Sequence, residues 1–471
     1  MKSVRLTALA VMVAASAAPG IASADSEINT LRAEFEQKLK ALQQSYEVRL
    51  QEMEARLAKN EARVPAPAAP AATGTSGGSG SPGSVVLPIA QTNANAFNPE
   101  ISLVLQGAYV NQKDIADRHI TGFMPLTTEQ GARGFTLGSS ELVFAANIDP
   151  YSRGRLNLAV ADDAVEVEEA WFQSLALGNG FALKGGRFVS AIGYANEQHP
   201  HTWDFADQSL MYRALFGEHL LQDGVQLKWL APTDAYWEFG LEAGRGQFFP
   251  GSEAGGNRNG AGSWTAFAHS GGDVGDSHSW RAGLSYAAAR PRERAADLLD
   301  RTGTSTRTDF SGESKTWLAD FVWKWAPQGN SQSESFKLQA EFFHRAEDGA
   351  LACADNTAAG GLCGAGAVSG DAYRARQSGA YVQGVYQFMP RWRVGYRYDR
   401  LNGGSVDFGG LPFATDAYRP EKHSLMADYS PSEFSRFRLQ LAQDKAMQGV
   451  TDNQVTLQYI HSLGTHGAHN F

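Results

Sequence analysis

The sequence predicts an all-β transmembrane barrel of about sixteen antiparallel strands, preceded by an N-terminal α-helical coiled coil. Three observations carry this expectation. Segments of alternating apolar and polar residues recur from Ile101 to the end of the chain. In these segments Trp, Tyr and Phe occupy one face and charged residues the other, the polarity of a wall with lipid outside and water inside. The stretch 27–63, by contrast, holds no Gly or Pro and is rich in Glu, Lys, Arg, Leu and Gln, which is helix composition.

The N-terminal residues set the compartment. Lys2 and Arg5 precede the apolar run Leu6 to Ala18, and Ala22-Ser23-Ala24 supplies a small-residue cleavage site, so 1–24 reads as a secretory signal peptide. The run is too short to span a bilayer as an anchor, and no later run of about 18 apolar residues predicts a transmembrane helix. Within 25–64 the apolar positions Ile28, Leu31, Phe35, Leu39, Leu42, Tyr46, Leu50, Met53 and Leu57 repeat every eleven residues, which gives a straight or slightly right-handed supercoil. Such a stripe needs a partner, and the expectation is a parallel homotrimer in the periplasm. Pro65 ends the helix, and 65–97 is a flexible Pro/Ala/Gly/Ser linker. The barrel then occupies 98–471. Cys353 and Cys363 are the two cysteines. They lie close in a Gly/Ala-rich stretch, where an oxidising periplasm permits a disulfide that would staple a loop; a metal pair lacks the C-x-x-C spacing.

The strands follow from period two. Ile101, Leu103, Leu105 and Tyr109 form the apolar face of the first. Leu142, Phe144, Ala146 and Ile148 form another, ended at Asp149-Pro150. Val225, Leu227 and Trp229 turn at Pro232 into Trp237, Phe239 and Leu241; Trp317, Ala319, Phe321, Trp323 and Trp325 make the clearest lipid face. Trp392, Val394, Tyr396 and Tyr398 follow, then Phe437, Leu439 and Leu441. The last strand is read from Val455 to Phe471, whose terminal aromatic resembles the closing signal of bacterial outer-membrane barrels. The opposite faces carry the lumen charges Glu238, Glu242, Asp320, Lys324, Lys337, Glu341, Arg393, Arg397, Asp399, Arg438 and Asp444, read as charges in water. An even strand number puts both ends on the periplasmic side, so the long connections 112–133, 193–221, 247–262, 290–314, 347–377 and 402–421 face outward.

The stretches Leu137 to Phe144 (LGSSELVF), Asp149-Pro150, Val167 to Trp171 (VEEAW) and Lys184 to Phe188 (KGGRF) resemble the opening strands of the phosphate-selective porin (O/P) family. The resemblance implies a sixteen-stranded trimeric barrel whose long third loop folds inward and narrows the pore. It also implies a basic pore lining. Here acidic residues outnumber basic ones, with a formal net charge of −9, which argues against anion selectivity.

By position the inward loop is 193–221. Glu197, His199, His201 and Asp204 crowd into eight residues. Imidazole and carboxylate together suit zinc or a similar divalent ion, and Pro200 favours the turn that two histidines spaced by one residue need to chelate. Proteins labelled zinc-regulated outer-membrane receptors look similar through this stretch and through Asp223 to Trp229. Two other readings stand beside metal ligation: His199 and Trp203 brace the loop, or the four residues line the pore and set selectivity. His461, His466 and His469 form a second candidate metal group, or else part of an interfacial belt.

No G-x-S-x-G, H-E-x-x-H or P-loop pattern predicts an enzyme, and the negative charge disfavours nucleic acid. The expected function is a porin-like outer-membrane channel for passive diffusion of small hydrophilic solutes or ions, with lipid, a homotrimer and the solutes as partners and no cofactor beyond a bound zinc ion. A zinc-uptake receptor energised through TonB is the alternative, and an outer-membrane tether the third reading.

Overall fold

The alternation read from the sequence folds into one closed sheet. The computed structural model describes residues 100–464 except 116–117, 125–132, 162–163, 354–369 and 414–416. The signal peptide, coiled coil and linker, together with Cys363, His466, His469 and Phe471, lie outside the described residues. Among the described residues eighteen strand segments share the sheet, each antiparallel to its neighbours. The seam closes where β1 (Glu100–Asn111) pairs with β18 (Asp452–Gly464), from Ser102 opposite Gly464 to Asn111 opposite Val455. Closure satisfies the backbone groups that an open edge would leave bare in lipid.

Two segment pairs are single interrupted strands. β2 (Gly134–Thr136) and β3 (Ser140–Asp149) pair with successive stretches of β1. β10 (His278–Ala289) and β11 (Arg294–Leu299) do the same along β12 (Ser305–Trp325). The wall therefore has sixteen strands, as the alternation predicts.

Period two sorts the side chains. On β12, Trp317 and Phe321 are 52% and 41% exposed on the outside, while Thr316, Leu318, Asp320 and Val322 between them are buried inside. Leu227, Trp237, Phe239, Leu241, Tyr396, Phe437, Leu439 and Leu457 continue the outward apolar belt.

Connections on the rim where β1 begins and β18 ends are mostly short turns, such as 150–151, 231–235, 390–391 and 433–434; the longest lie on the other rim. Three of the predicted loops are partly wall. The stretches 290–314, 347–377 and 402–421 contain β11, the start of β12, the end of β13 (Ser335–Cys353), the start of β14 (Gly370–Met389) and the end of β15 (Trp392–Asp407). β12, β13 and β14 run 21, 19 and 20 residues, whereas about 9–11 suffice to cross a bilayer. Their upper ends therefore stand clear of the membrane, where the Gly, Ser and Thr that suggested loops are tolerated in strands. Phe408, Leu411 and Phe413 fold onto Phe310, Leu351 and Tyr373 there, inside the rim. The closing strand begins at Asp452, three residues before the Val455 read from the sequence, and is described to Gly464. Cys353, at the end of β13, is disulfide-bonded.

The outward belt predicts a depth-dependent penalty for charge. Phe321 lies along β12 between Trp317 and Trp323, so Phe321→Arg should destabilise the barrel by about 2–4 kcal/mol, as for Arg near a bilayer midplane. Reversible denaturant unfolding in lipid vesicles measures this; an unchanged midpoint would mean that this face does not meet lipid.

Candidate functional site in the barrel lumen

The candidate site is the segment 190–220, which leaves β6 (Phe181–Val189) and returns as β7 (Leu221–Leu230). Its neck is tied by backbone: Ser190 N–H donates to the Leu220 carbonyl at 2.9 Å. Asn196 doubles the tie, its Nδ2 donating to the Ser190 and Leu220 carbonyls and its Oδ1 accepting from Leu220 N–H. The chain then turns into the lumen at Gly193, with φ 65°. A Cβ there would stand 2.6 Å from both the Glu341 carboxylate and the Tyr212 hydroxyl, so only glycine fits both the conformation and the space.

Two wall carboxylates hold this entry. Glu341, on β13, accepts from the backbone N–H of Tyr194 and Ala195 and from the hydroxyls of Tyr212 and Tyr381. Glu242, on β8 (Tyr236–Gly244), accepts from Ala191 N–H, Ser190 Oγ, Gln226 Nε2 and Thr265 Oγ1. Both residues are buried, Glu341 being 2% exposed. This corrects the expectation that Glu242 and Glu341 are charges in water: a carboxylate taken out of water must be repaid by donors, and the inward loop supplies them. Glu238 has the more modest role of pairing with Lys228 at 2.9 Å and His269 at 3.3 Å.

Further in, the loop forms a short helix, Leu210–Phe216, ended by Gly217 at φ 64°. Its Leu210 N–H donates to Asp399 on β15. Leu210, Met211, Tyr212, Leu215 and Phe216 are buried against Phe343, Tyr381, Leu401 and Leu318 of the wall. Tyr212 and Phe216 meet the Phe343 ring edge-on at 4.8 and 5.1 Å. The loop thus builds a small apolar core inside the lumen.

The four residues that crowd together in sequence are pulled apart. Glu197 is exposed. Asp204 points to the basic strands, pairing with Lys337 and with Arg393 at 3.2 Å. Burial pushes the Asp204 carboxyl up, but Lys337, Arg393 and Arg438 outweigh it and hold it well below the ordinary aspartate value. Asp207, which sequence reasoning passed over, behaves alike. It binds Lys422 at 2.7 Å, Arg397 at 2.9 Å and Gln440, and these cations, against burial, hold its carboxyl low. Of the predicted lumen charges, Arg397 also pairs with Asp399 at 2.9 Å, and Arg438 and Arg393 share Asp428. These four are therefore latches for the loop and for one another.

His199 and His201 go to an acidic stretch of wall. His201 Nδ1 lies 2.7 Å from Glu141 Oε1 on β3. His199 Nδ1 lies 3.2 Å from Glu168 and 3.4 Å from Glu141, and its Nε2 lies 3.4 Å from Glu169. The two imidazoles stack, 5.9 Å apart. Burial pulls the His199 imidazole down, yet the three carboxylates overcome this and hold its pKa well above the usual histidine value. Consecutive residues of a strand cannot face one side, but β5 (Ala164–Ser174) bulges against β4 (Ser152–Ala161), where Asn157 opposes Glu169 and Leu158 opposes Val167. The extra residue is Glu168, and the bulge turns both carboxylates toward His199. Trp203 braces the turn, donating from Nε1 to the Gln198 carbonyl and stacking on His219 at 5.5 Å.

Below the loop, toward the short-turn rim, a cavity of about 940 Å³ opens between Tyr194, Asp204, Lys324, Lys337, Gln387 and Arg393.

The depressed Asp204 and Asp207 carboxyls set a pH window. A group whose folded pKa is lowered stabilises the fold above its unfolded value, about 3.9 for aspartate, and loses that contribution only as pH falls through the folded value. Hydrogen exchange of residues 193–216, corrected for intrinsic rates, should therefore stay equally protected from pH 7 to about pH 5. Opening of the loop within that interval would show that these ion pairs do not hold it.

No family model matches the chain. Among solved structures it is similar to an anion-selective porin from Comamonas acidovorans, at 10% identity and TM-score 0.47 over 78% of this chain and 99% of that one. It is also similar to OmpT, an outer membrane protein of Vibrio cholerae, at 12% identity and TM-score 0.46 over 80% and 100%. An uncharacterized protein of Aquifex aeolicus (strain VF5) is 30% identical over 417 residues, 82% of each chain. At that identity and coverage, the chain belongs to the same family as the Aquifex aeolicus protein.

Proposed function

We propose that the protein is a porin-like outer-membrane channel that passes small hydrophilic solutes or ions down their gradients, with segment 193–221 as its filter. The observation that carries this reading is the inward loop. It is latched at several points around a closed, lipid-facing barrel, by Glu341, by Glu242, by the basic strands and by Glu141, Glu168 and Glu169. Acidic and basic stretches of wall beside the loop impose a local field on any solute that passes it. Nearly all the lumen charges near the loop are paired, so selectivity rests on what the loop leaves open more than on net charge.

The N-terminal coiled coil fits a homotrimer spaced from the periplasmic side, and the disulfide of Cys353 fits an oxidising compartment. The acid–histidine cluster favours metal as a second reading, with uptake energised from the inner membrane ranked behind passive flow.

Planar-bilayer recording of the purified protein tests the proposal. Steady ohmic conductance is expected, with a reversal potential under a salt gradient that reports the sign of the preferred ion. Gly193→Ala drives a methyl group into Glu341 and Tyr212, so it should dislodge the loop and raise conductance severalfold. Silence from both the native protein and this variant would sink the channel reading.

A further inference from the structure

We propose that Glu141, Glu168 and His199 form a site for a divalent transition-metal ion of the zinc class, with the Asn157 amide oxygen as a fourth donor. The site lies where the inward loop meets β3 and β5. It is independent of whether solute flows past it.

The first support is geometric. One oxygen from each carboxylate and one ring nitrogen of His199 all lie within 4.8 Å of one another. Nδ1 stands 3.2 Å from Glu168 Oε2 and 3.4 Å from Glu141 Oε2. Tetrahedral donors at about 2.0–2.1 Å from zinc stand about 3.3–3.4 Å apart, so these two separations already match the edges of a coordination tetrahedron.

The second support is independent of the acids. Asn157 is completely buried, and its Oδ1 has no hydrogen-bond partner. Its Nδ2 sits against all three ligands, 3.0 Å from Glu141 Oε2, 2.9 Å from Glu168 Oε2 and 3.4 Å from His199 Nδ1. A half-turn of the amide exchanges the two atoms. It would place a carbonyl oxygen against two carboxylates, an arrangement that only a cation among them stabilises, and it would move Nδ2 to the place where Oδ1 now has no partner.

The surroundings complete the site. Glu169 pairs with Arg155 at 3.0 Å and receives the Trp171 indole N–H, so Glu169 has a cation of its own, whereas the charged and polar partners of Glu141 and Glu168 are the histidines and Asn157 of the site itself. His201 Nδ1 meets the other oxygen of Glu141. In this arrangement His201 is an orienting residue for a ligand, not a ligand itself, the role that carboxylate–histidine pairs commonly play behind a metal. A nitrogen donor among oxygens selects against calcium and magnesium, which take oxygen shells, and suits zinc, cobalt or nickel.

The test uses the full chain in detergent, titrated with cobalt(II) by visible absorption and with zinc chloride by calorimetry. One ion per chain is expected, with the intense bands of four-coordinate cobalt. Glu168→Gln and His199→Ala should each weaken binding at least tenfold, and His201→Ala by about tenfold, as for other orienting residues. Asn157→Asp, which replaces the amide with a carboxylate, should tighten it. Circular dichroism and resistance of the barrel to heating on gels identify folded variants; Glu168, whose side chain is 20% exposed, is the substitution least able to disturb the fold. No binding by the native protein, or unchanged affinity in folded Glu168→Gln, would place any ion elsewhere and overturn the proposal. Because calorimetry does not require conduction, this failure would leave the channel reading intact, and a silent bilayer would leave the site intact.

Discussion

The acceptance of loop backbone N–H groups by Glu242 and Glu341 is the interaction on which the interior depends. Each carboxylate is fixed on a wall strand and takes at least four hydrogen bonds, two or more of them from segment 190–220. Neither partner is stable alone. The loop brings peptide groups into a space where water is scarce, and the carboxylates would be buried without compensation. Together each cancels the other's cost, and charge-assisted hydrogen bonds give the contact more strength than neutral ones would.

The same rule explains the rest of the lumen. Asp204 and Asp207 descend from the loop into a bank of Lys337, Arg393, Arg397 and Lys422, while His199 and His201 cross to Glu141, Glu168 and Glu169. The loop therefore carries its negative groups to the basic wall and its imidazoles to the acidic wall. Between them the helix Leu210–Phe216 buries an apolar face on Phe343, Tyr381 and Leu401. The loop is held by electrostatic contacts of both signs together with a packed apolar wedge. The acidic side also gathers donors in the geometry of a metal site, so the latch and the proposed ion share residues.

Legibility in the sequence divides along the period of the side chains. The outward belt and the buried charges of β8, β13, β15 and β17 (Ser435–Lys445) were visible because strand alternation is local and strict. The sixteen-stranded wall followed from counting such segments. Upper strand ends were misread as loops because their Gly, Ser and Thr content resembles loop composition, while their pairing partners are remote in sequence. The bulge at Glu168 was hidden for a related reason: an extra residue is defined by what lies opposite it, and Asn157 and Leu158 are on another strand.

What the sequence by itself determined is the sided wall, an apolar exterior and a charged interior, and the position of a long third connection rich in histidine and acid. These depend on neighbours one or two residues apart. Only the tertiary structure decided that Glu197, His199, His201 and Asp204 part company. It also decided that Asp207, Asn196 and Asn157 matter, and that Glu242 and Glu341 are anchors instead of free charges. Their partners lie up to 233 residues away, as with Asp207 and Gln440. The physical reason is that closure of the barrel puts distant strands at one height around a narrow space, and a buried charge responds to whatever that space brings within about 4 Å.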